Sequence, residues 1–349
     1  MAPFKSSLAR SATKLFGVFN QTDLSLRGAT QNTRKIDDSV QASGGTEITS
    51  GNNKYHVFLG SSEQNFSVTR GGTCEILVVA GGGSGGYFYG SGGGAGGVVH
   101  APNFPVETGV TYKVSAGDGA AARPNSAGYG NNGSASYLKP SPAPAAASAT
   151  NLYAKGGGGG GYSGDPDDAF DTTYKNGTGS GGGTVGPATP YPNRTPNFPS
   201  TTQHPTGVNY SNGGAAGGED TNGGGGGGAG AAAGTNQDGS ITDPASPGGA
   251  GRPFSNFPAP VLAPAIPAPV RPLWTPAVGP TGLFGGGGAG YDHPGTVPRA
   301  PGGGGEWRDP TGSATINGGV DYTGGGGAGP NPSPGGGGKG IVIVYYPTA

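Results

Sequence analysis

The chain has 349 residues, 80 of them glycine and 33 proline, a share that ordinarily marks low-complexity or disordered sequence. No strict Gly-X-Y period runs through it, which excludes collagen, and a formal net charge of −1 weighs against nucleic-acid binding, which needs clustered cations. Charged residues are only 11%, with 15 Tyr and 12 Phe, so the charge-rich signature of disordered chains is missing and an ordered state is expected.

Residues 1–40 differ from the rest. Met1–Gln21 holds no acidic residue, and Phe4, Leu8, Ala12, Leu15, Phe16 and Phe19 recur at helical spacing with Lys5, Arg10 and Lys14 around them. A short amphipathic helix is expected, one that needs a partner surface because about 15 residues are marginal alone. Three readings are open for it: packing on its own domain, anchoring to another protein, or a transit peptide of the mitochondrial type. The anchoring residues would be Phe4, Leu8, Leu15, Phe16 and Phe19. An apolar secretory core is missing from this stretch, so synthesis in a cytoplasm without Sec-type export is expected.

Residues 41–53 are polar and read as a linker. From residue 54 the strand signals begin: Tyr55–Leu59, Phe66–Thr69, Cys74–Ala80, Gly97–His100 and Val110–Ser115, each bounded by Gly, Asn or Pro. Glu75–Ala80 and, at the far end, Ile341–Tyr346 are nearly continuous apolar runs, as in strands buried on both faces. They predict one β module over 54–349 whose last strand returns beside its early ones.

Between those ends lie the glycine tracts, among them Gly81–Gly83, Gly92–Gly94, Gly156–Gly161, Gly223–Gly228, Gly285–Gly288, Gly324–Gly327 and Gly335–Gly338, densest over about 156–340. A glycine run can adopt the left-handed threefold helix of polyproline, so six residues span ~19 Å at a rise of ~3.1 Å. Such a helix has no internal hydrogen bonds, and without Cβ atoms neighbouring chains can bond backbone to backbone. Ordering costs ~1–2 kcal/mol per residue, so the tracts need a β framework at their ends and many neighbours. Phe254–Pro280 is proline-rich and is expected to be extended, without helix.

Little chemistry is legible. Cys74 is the single cysteine, so no internal disulfide exists, and its strand makes it a core residue. His56, His100, His204 and His293 have no ligand spacing. Gly287–Asp292 matches the start of a calcium-binding nonapeptide only once, and Asp165, Asp167, Asp168 and Asp171 read as a solvated loop. No apolar run approaches the ~20 residues of a bilayer span, so no membrane insertion is expected. Neither a cofactor nor an enzymatic constellation is expected. Aromatics beside the tracts are the candidate contacts: Tyr87, Tyr89, Tyr162, Tyr174, Tyr191, Trp274 and Trp307, with Phe88, Phe198, Tyr210 and Tyr322. Rigid aromatics give contact area at low entropy cost, although covering the lattice or filling subunit contacts would also use them.

Two resemblances rest on these residues. Tyr55-His-Val-Phe, Phe66-Ser-Val-Thr, Cys74-Glu-Ile-Leu-Val-Val-Ala-Gly-Gly-Gly and the closing Gly340-Ile-Val-Ile-Val-Tyr-Tyr resemble the glycine-rich domain of phage and marine-virus structural proteins. They are also similar to the glycine-rich module of anaplastic-lymphoma-kinase-type receptors, and the glycine tracts resemble those of the tip adhesins of some tailed-phage long fibres. Those resemblances imply a jelly-roll-like β-sandwich with an inserted bundle of polyglycine helices. Phe4-Lys-Ser-Ser, Ser11-Ala-Thr-Lys-Leu-Phe-Gly-Val-Phe and Asp23-Leu-Ser-Leu-Arg-Gly-Ala resemble the opening of cyanophage virion proteins. The implied function is a virion fibre, tip or decoration protein, a homotrimer by analogy with viral fibres, held by its N-terminus to other virion proteins. The alternative is an adhesin whose loop aromatics contact a host glycan or protein.

Overall fold

A computed structural model describes residues 39–87, 90–123, 128–141, 151–161, 179–183, 207–215, 223–234, 247–291, 296–308, 317–329 and 334–348. The chain divides into two units, Met1–Asp38 and Ser39–Ala349, and the described residues belong to the second. The expected N-terminal helix, with Phe4, Leu8, Leu15, Phe16 and Phe19, lies outside them.

The strands in chain order are β1 (Gln41–Ser43), β2 (Thr46–Ser50), β3 (Asn53–Phe58), β4 (Gln64–Arg70), β5 (Gly72–Val79), β6 (Val98–Val106), β7 (Thr111–Ser115), β8 (Ser136–Ser141), β9 (Leu152–Ala154) and β10 (Val208–Tyr210). Four two-residue strands follow, β11 (Arg252–Pro253), β12 (Leu283–Phe284), β13 (Thr296–Val297) and β14 (Trp307–Arg308), before β15 (Ile341–Pro347). The main sheets are five-stranded, in the order β1-β4-β7-β8-β9, and six-stranded, in the order β10-β6-β5-β15-β3-β2. The fold is mainly β, as expected. The terminal run does return to the early strands: β15 pairs antiparallel with β5 on one side and β3 on the other.

Why β5 and β15 are apolar at successive positions follows from what covers them. Ile76, Val78, Val342 and Val344 point into the sandwich and pack with Phe58, Phe66, Phe104, Tyr112 and Leu138. Leu77, Val79, Ile341 and Ile343 point the other way, onto Phe257, Leu262, Trp274 and Phe284. Alternate side chains of a strand face opposite sides, so a sheet with two covered faces needs no polar positions. Each such side chain contributes about 1.5–3 kcal/mol of burial. The outer cover comes from the proline-rich segment, which forms α1 (Ala259–Leu262), a 3₁₀ turn at Ala263–Ala265 and α2 (Arg271–Val278) rather than an extended chain. The prolines explain it. A proline stands within the first two positions of α1, of the 3₁₀ turn and of α2. There its missing N–H would have had no partner in any case. Gly279, with φ 61°, ends α2.

Beyond the strand ends the hydrogen-bond period changes from two to three. From Gly81 onward successive N–H groups donate to three different neighbours: Gly81 to Ser134, Gly82 to Gly338, Gly83 to Gly94, then again Ser84 to Asn131, Gly85 to Gly335 and Gly86 to Ser91. Residues 91–97 repeat the pattern, donating in turn to 155–161, 224–227 and 324–327. The same segment accepts bonds from three further neighbours, around residues 80–86, 180–183 and 288–291, so six segments surround it. Side chains would prevent this. A β-carbon at Gly93 or Gly326 would fall on a neighbouring carbonyl, far inside van der Waals contact. Where a lattice neighbour is lacking, amide side chains stand in: Gly159 N donates to Asn132 Oδ1 at 2.9 Å and Asn212 Nδ2 to Gly228 O at 2.7 Å.

Most of these segments run straight out of strands: residues 80–87 from β5, 90–97 into β6, 155–161 from β9 and 334–340 into β15. Ser136 is the buried joint between the two regimes. Its Oγ donates to Val79 O at 2.7 Å and accepts from Gly117 N at 2.7 Å. The lattice also draws in residues 81–87, 90–97, 117–120 and 128–134, so it is not confined to the expected 156–340 insertion. Residues 41–53, expected to be a linker, instead hold β1, β2 and the start of β3. Their polar side chains suit edge strands, which misled the composition-based reading.

Candidate interaction surfaces

The outward face of the five-stranded sheet is built in rows by the strand register. Ser43, Ser67, Thr111 and Ser141 stand opposite one another across four strands. The next row is Asn65, Lys113 and Lys139, and the next is Ser115, Tyr137 and Tyr153. Their neighbours Phe66, Tyr112, Val114, Leu138 and Leu152 point into the core, so the polar set lies on the opposite face, where Ser115 alone is buried, its Oγ donating to Ser61 O at 2.9 Å. Tyr153 is 42% exposed and is the large hydrophobic that this sheet exposes among the described residues. Tyr137 OH donates to Glu63 Oε2 at 2.8 Å, and Lys139 Nζ lies 3.1 Å from the same oxygen and 4.5 Å from the Tyr137 ring centre. Hydrogen bonds from Tyr137 and then Lys139 hold the Glu63 carboxyl below its ordinary range, and the Glu63 bond raises Lys139. Lys113 Nζ donates to the neutral Asn65 Oδ1 at 2.8 Å.

A second polar cluster joins the six-stranded sheet to its helical cover. His100 Nε2 donates to Glu75 Oε1 at 2.8 Å and Asn256 Nδ2 to Glu75 Oε2 at 2.7 Å. The His100 ring packs on Phe254 at 5.1 Å, and the Arg252 guanidinium lies 3.9 Å over Tyr210. Both carboxylate oxygens are engaged within the protein, so the cluster is a clamp between strands and cover.

His56 is fully buried. Its Nδ1 donates to Gly44 O at 2.8 Å, and its Nε2 accepts from Tyr346 OH at 2.9 Å. Burial pushes the His56 pKa down and the Tyr346 phenol up to about 12. Cys74 is the buried core residue expected, its thiol pushed up to about 12 by burial. Among the described residues no three of His, Cys, Asp and Glu could hold a metal, and no helix is long and apolar enough to cross a membrane. His204, His293 and the acidic loop Asp165–Asp171 lie outside the described residues.

The aromatic candidates divide. Tyr89, Tyr162, Tyr174 and Tyr191, with Phe88 and Phe198, lie outside the described residues, and Tyr87 is half-buried. Trp274 is fully buried, its Nε1 donating to Tyr322 O at 3.0 Å, and so presents no contact surface. Trp307 is buried too and packs with Tyr291, Val297, Ala289 and Ala328. These two tryptophans are corrected from contact residues to covering residues: one roofs the sheet, the other caps the lattice where alanines replace glycines. Sequence reasoning missed Lys113, Tyr137, Lys139 and Tyr153. Only the alternation of Ser136–Ser141 signalled β8, and Pro140 obscured it.

No curated protein matches the chain. Against known families, residues 59–347 match the glycine-rich domain. That span takes in β4 to β15 and every hydrogen-bonded glycine segment described above, and the chain therefore belongs to the glycine-rich domain family.

Proposed function

We propose that the chain is a non-enzymatic structural component of a phage virion, a fibre, tip or decoration protein that projects a stiff module from the particle. The observation that carries this reading is the backbone lattice, in which successive N–H groups bond three different neighbours. A threefold repeat of this kind belongs to the polyproline-type helix, with its three residues per turn. We infer that the tracts are polyglycine II helices. Most of them run out of strands and the central one, residues 91–97, is bonded to six neighbours, so the module resists bending in any direction. Such a body suits a load-bearing projection.

The virion placement is supported by the resemblance of residues 1–40 and of the strand-bearing ends to phage structural proteins. In this reading Phe4, Leu8, Leu15, Phe16 and Phe19 anchor the chain to other virion proteins, a homotrimer projects outward, and assembly follows synthesis in the host cytoplasm. Deleting residues 1–30 tests the anchor. Particles assembled with the truncated chain should lack it when their proteins are quantified by mass spectrometry, and unchanged incorporation would overturn the reading.

A further inference from the structure

We propose that the outward face of the five-stranded sheet is a binding surface for an acidic glycan chain. Three observations converge on it. Tyr153 is 42% exposed, and among the described residues nothing stacks on its ring or bonds its hydroxyl. Its cross-strand neighbour Tyr137 is engaged by Lys139 and Glu63, so Tyr153 supplies the open ring against which the C–H face of a sugar can stack. Two rows away stands a line of hydroxyls, Ser43, Ser67, Thr111 and Ser141, in which Ser67 Oγ and Thr111 Oγ1 lie 3.4 Å apart and bond each other. Each hydroxyl both donates and accepts, as sugar hydroxyls require. Between the tyrosines and this row stands Lys113, whose bonded partner is a neutral amide. Glu63 pairs with Lys139 at 3.1 Å and reaches Lys113 only through space, so Lys113 is the lysine without a bonded carboxylate that an anionic partner would answer.

The composition selects the occupant. Protein interfaces have apolar cores depleted in lysine, whereas this face exposes one aromatic ring amid hydroxyls, an amide and lysines. A second copy packed through the same patch about a twofold axis would bring the Lys113–Lys139 row against itself. Nucleic acid would need several uncompensated cations. A polysaccharide bearing carboxylate or sulfate groups meets all three features. This surface differs from the loop aromatics read from the sequence, and it stands independently of the virion reading: purified protein tests the one, particle incorporation the other.

The test is isothermal titration calorimetry of the purified full-length chain with oligouronate (alginate fragments), sulfated galactan oligomers and neutral mannan oligomers. Saturable binding of an acidic oligomer, weakening as salt rises, is expected, with uronate against sulfated galactan telling which acid group is read. Tyr153→Ala and Lys113→Gln should each weaken binding about tenfold or more, consistent with loss of a charge-assisted bond in the lysine variant. Tyr153→Phe should retain binding, and the unfolding midpoints should match the parent. Failure to bind either acidic oligomer, equal binding of mannan, or full affinity in both variants would overturn the proposal. So would variant-sensitive self-association in sedimentation, which would assign the face to a second copy.

Discussion

Replacing one central glycine by alanine, and one peripheral glycine by the same residue, separates a packed lattice from a loose one. Gly93 donates to Gly327 O at 2.8 Å and accepts from Gly288 N at 2.9 Å. A β-carbon there would fall on the Gly83 carbonyl group and 2.7 Å from Ser84 O. No flexible side chain is available to yield, so a whole segment must move. Overpacking of a filled interior costs ~1–3 kcal/mol, and each bond broken with its buried partner left unpaired costs ~1–3 kcal/mol. Alanine restricts the unfolded chain and returns only ~0.4–1 kcal/mol. At the middle of each range, losing one or two bonds puts the net loss at about 3–5 kcal/mol, a large part of a stability of ~5–15 kcal/mol. At Gly181 the nearest atom to a β-carbon is Gly214 N at 3.4 Å, ordinary contact, so Gly181→Ala should be neutral or stabilising by up to ~1 kcal/mol. Denaturant unfolding, followed by fluorescence of the buried Trp274 and Trp307, measures both. Equal stability of the two variants would refute the close-packed lattice.

Ser136→Ala should cost about 2–4 kcal/mol, because it orphans both Val79 O and Gly117 N at the buried joint; a loss near zero in the same unfolding assay would mean that the joint carries no load. The pH dependence should follow His56. Its pKa is lowered in the fold from 6.5, so the native state disfavours the proton that the unfolded chain takes up. Stability is then complete above about pH 6.5 and falls as pH drops from there toward the native pKa, and His56→Gln should flatten that slope in unfolding midpoints measured from pH 8 to 5. Cys74, buried with its thiol pushed up to about 12, should resist a disulfide-exchange reagent such as DTNB at pH 8 in the native protein and react fully in denaturant. Rapid native labelling would place it outside the core.

What the sequence made legible tracks how strongly one residue type dictates one environment. β5 and β15 were readable because Glu75–Ala80 and Ile341–Tyr346 leave no polar face, and only a strand covered on both sides accepts that pattern. β8 and β9 were not. β8 contains Pro140, and β9 is three residues long. Pro140 is tolerated because it falls beyond the pairs that β8 makes with β9, which run from Ser136 to Leu138. The same two strands carry Tyr137, Lys139 and Tyr153, so the glycan face stayed hidden with them. In Phe254–Pro280 the proline count pointed to an extended chain, but the prolines open successive short turns, and the apolar residues between them cover the six-stranded sheet.

The lattice also explains where recognition has to reside. Its interior carries few side chains beyond small ones such as Ser84, Ser91 and Ala95, and its backbone groups bond one another, so it has little to offer a ligand and almost no freedom to change. The outward sheet face is the converse: its residues alternate with core residues fixed by Phe66, Tyr112 and Leu138, and surface substitutions there should move stability by no more than ~0.5 kcal/mol. Binding specificity can therefore be altered at Lys113 or Tyr153 without disturbing the glycine segments. A set of substitutions across the two regions should show the two effects separating, with stability responding to the glycines and affinity to the face.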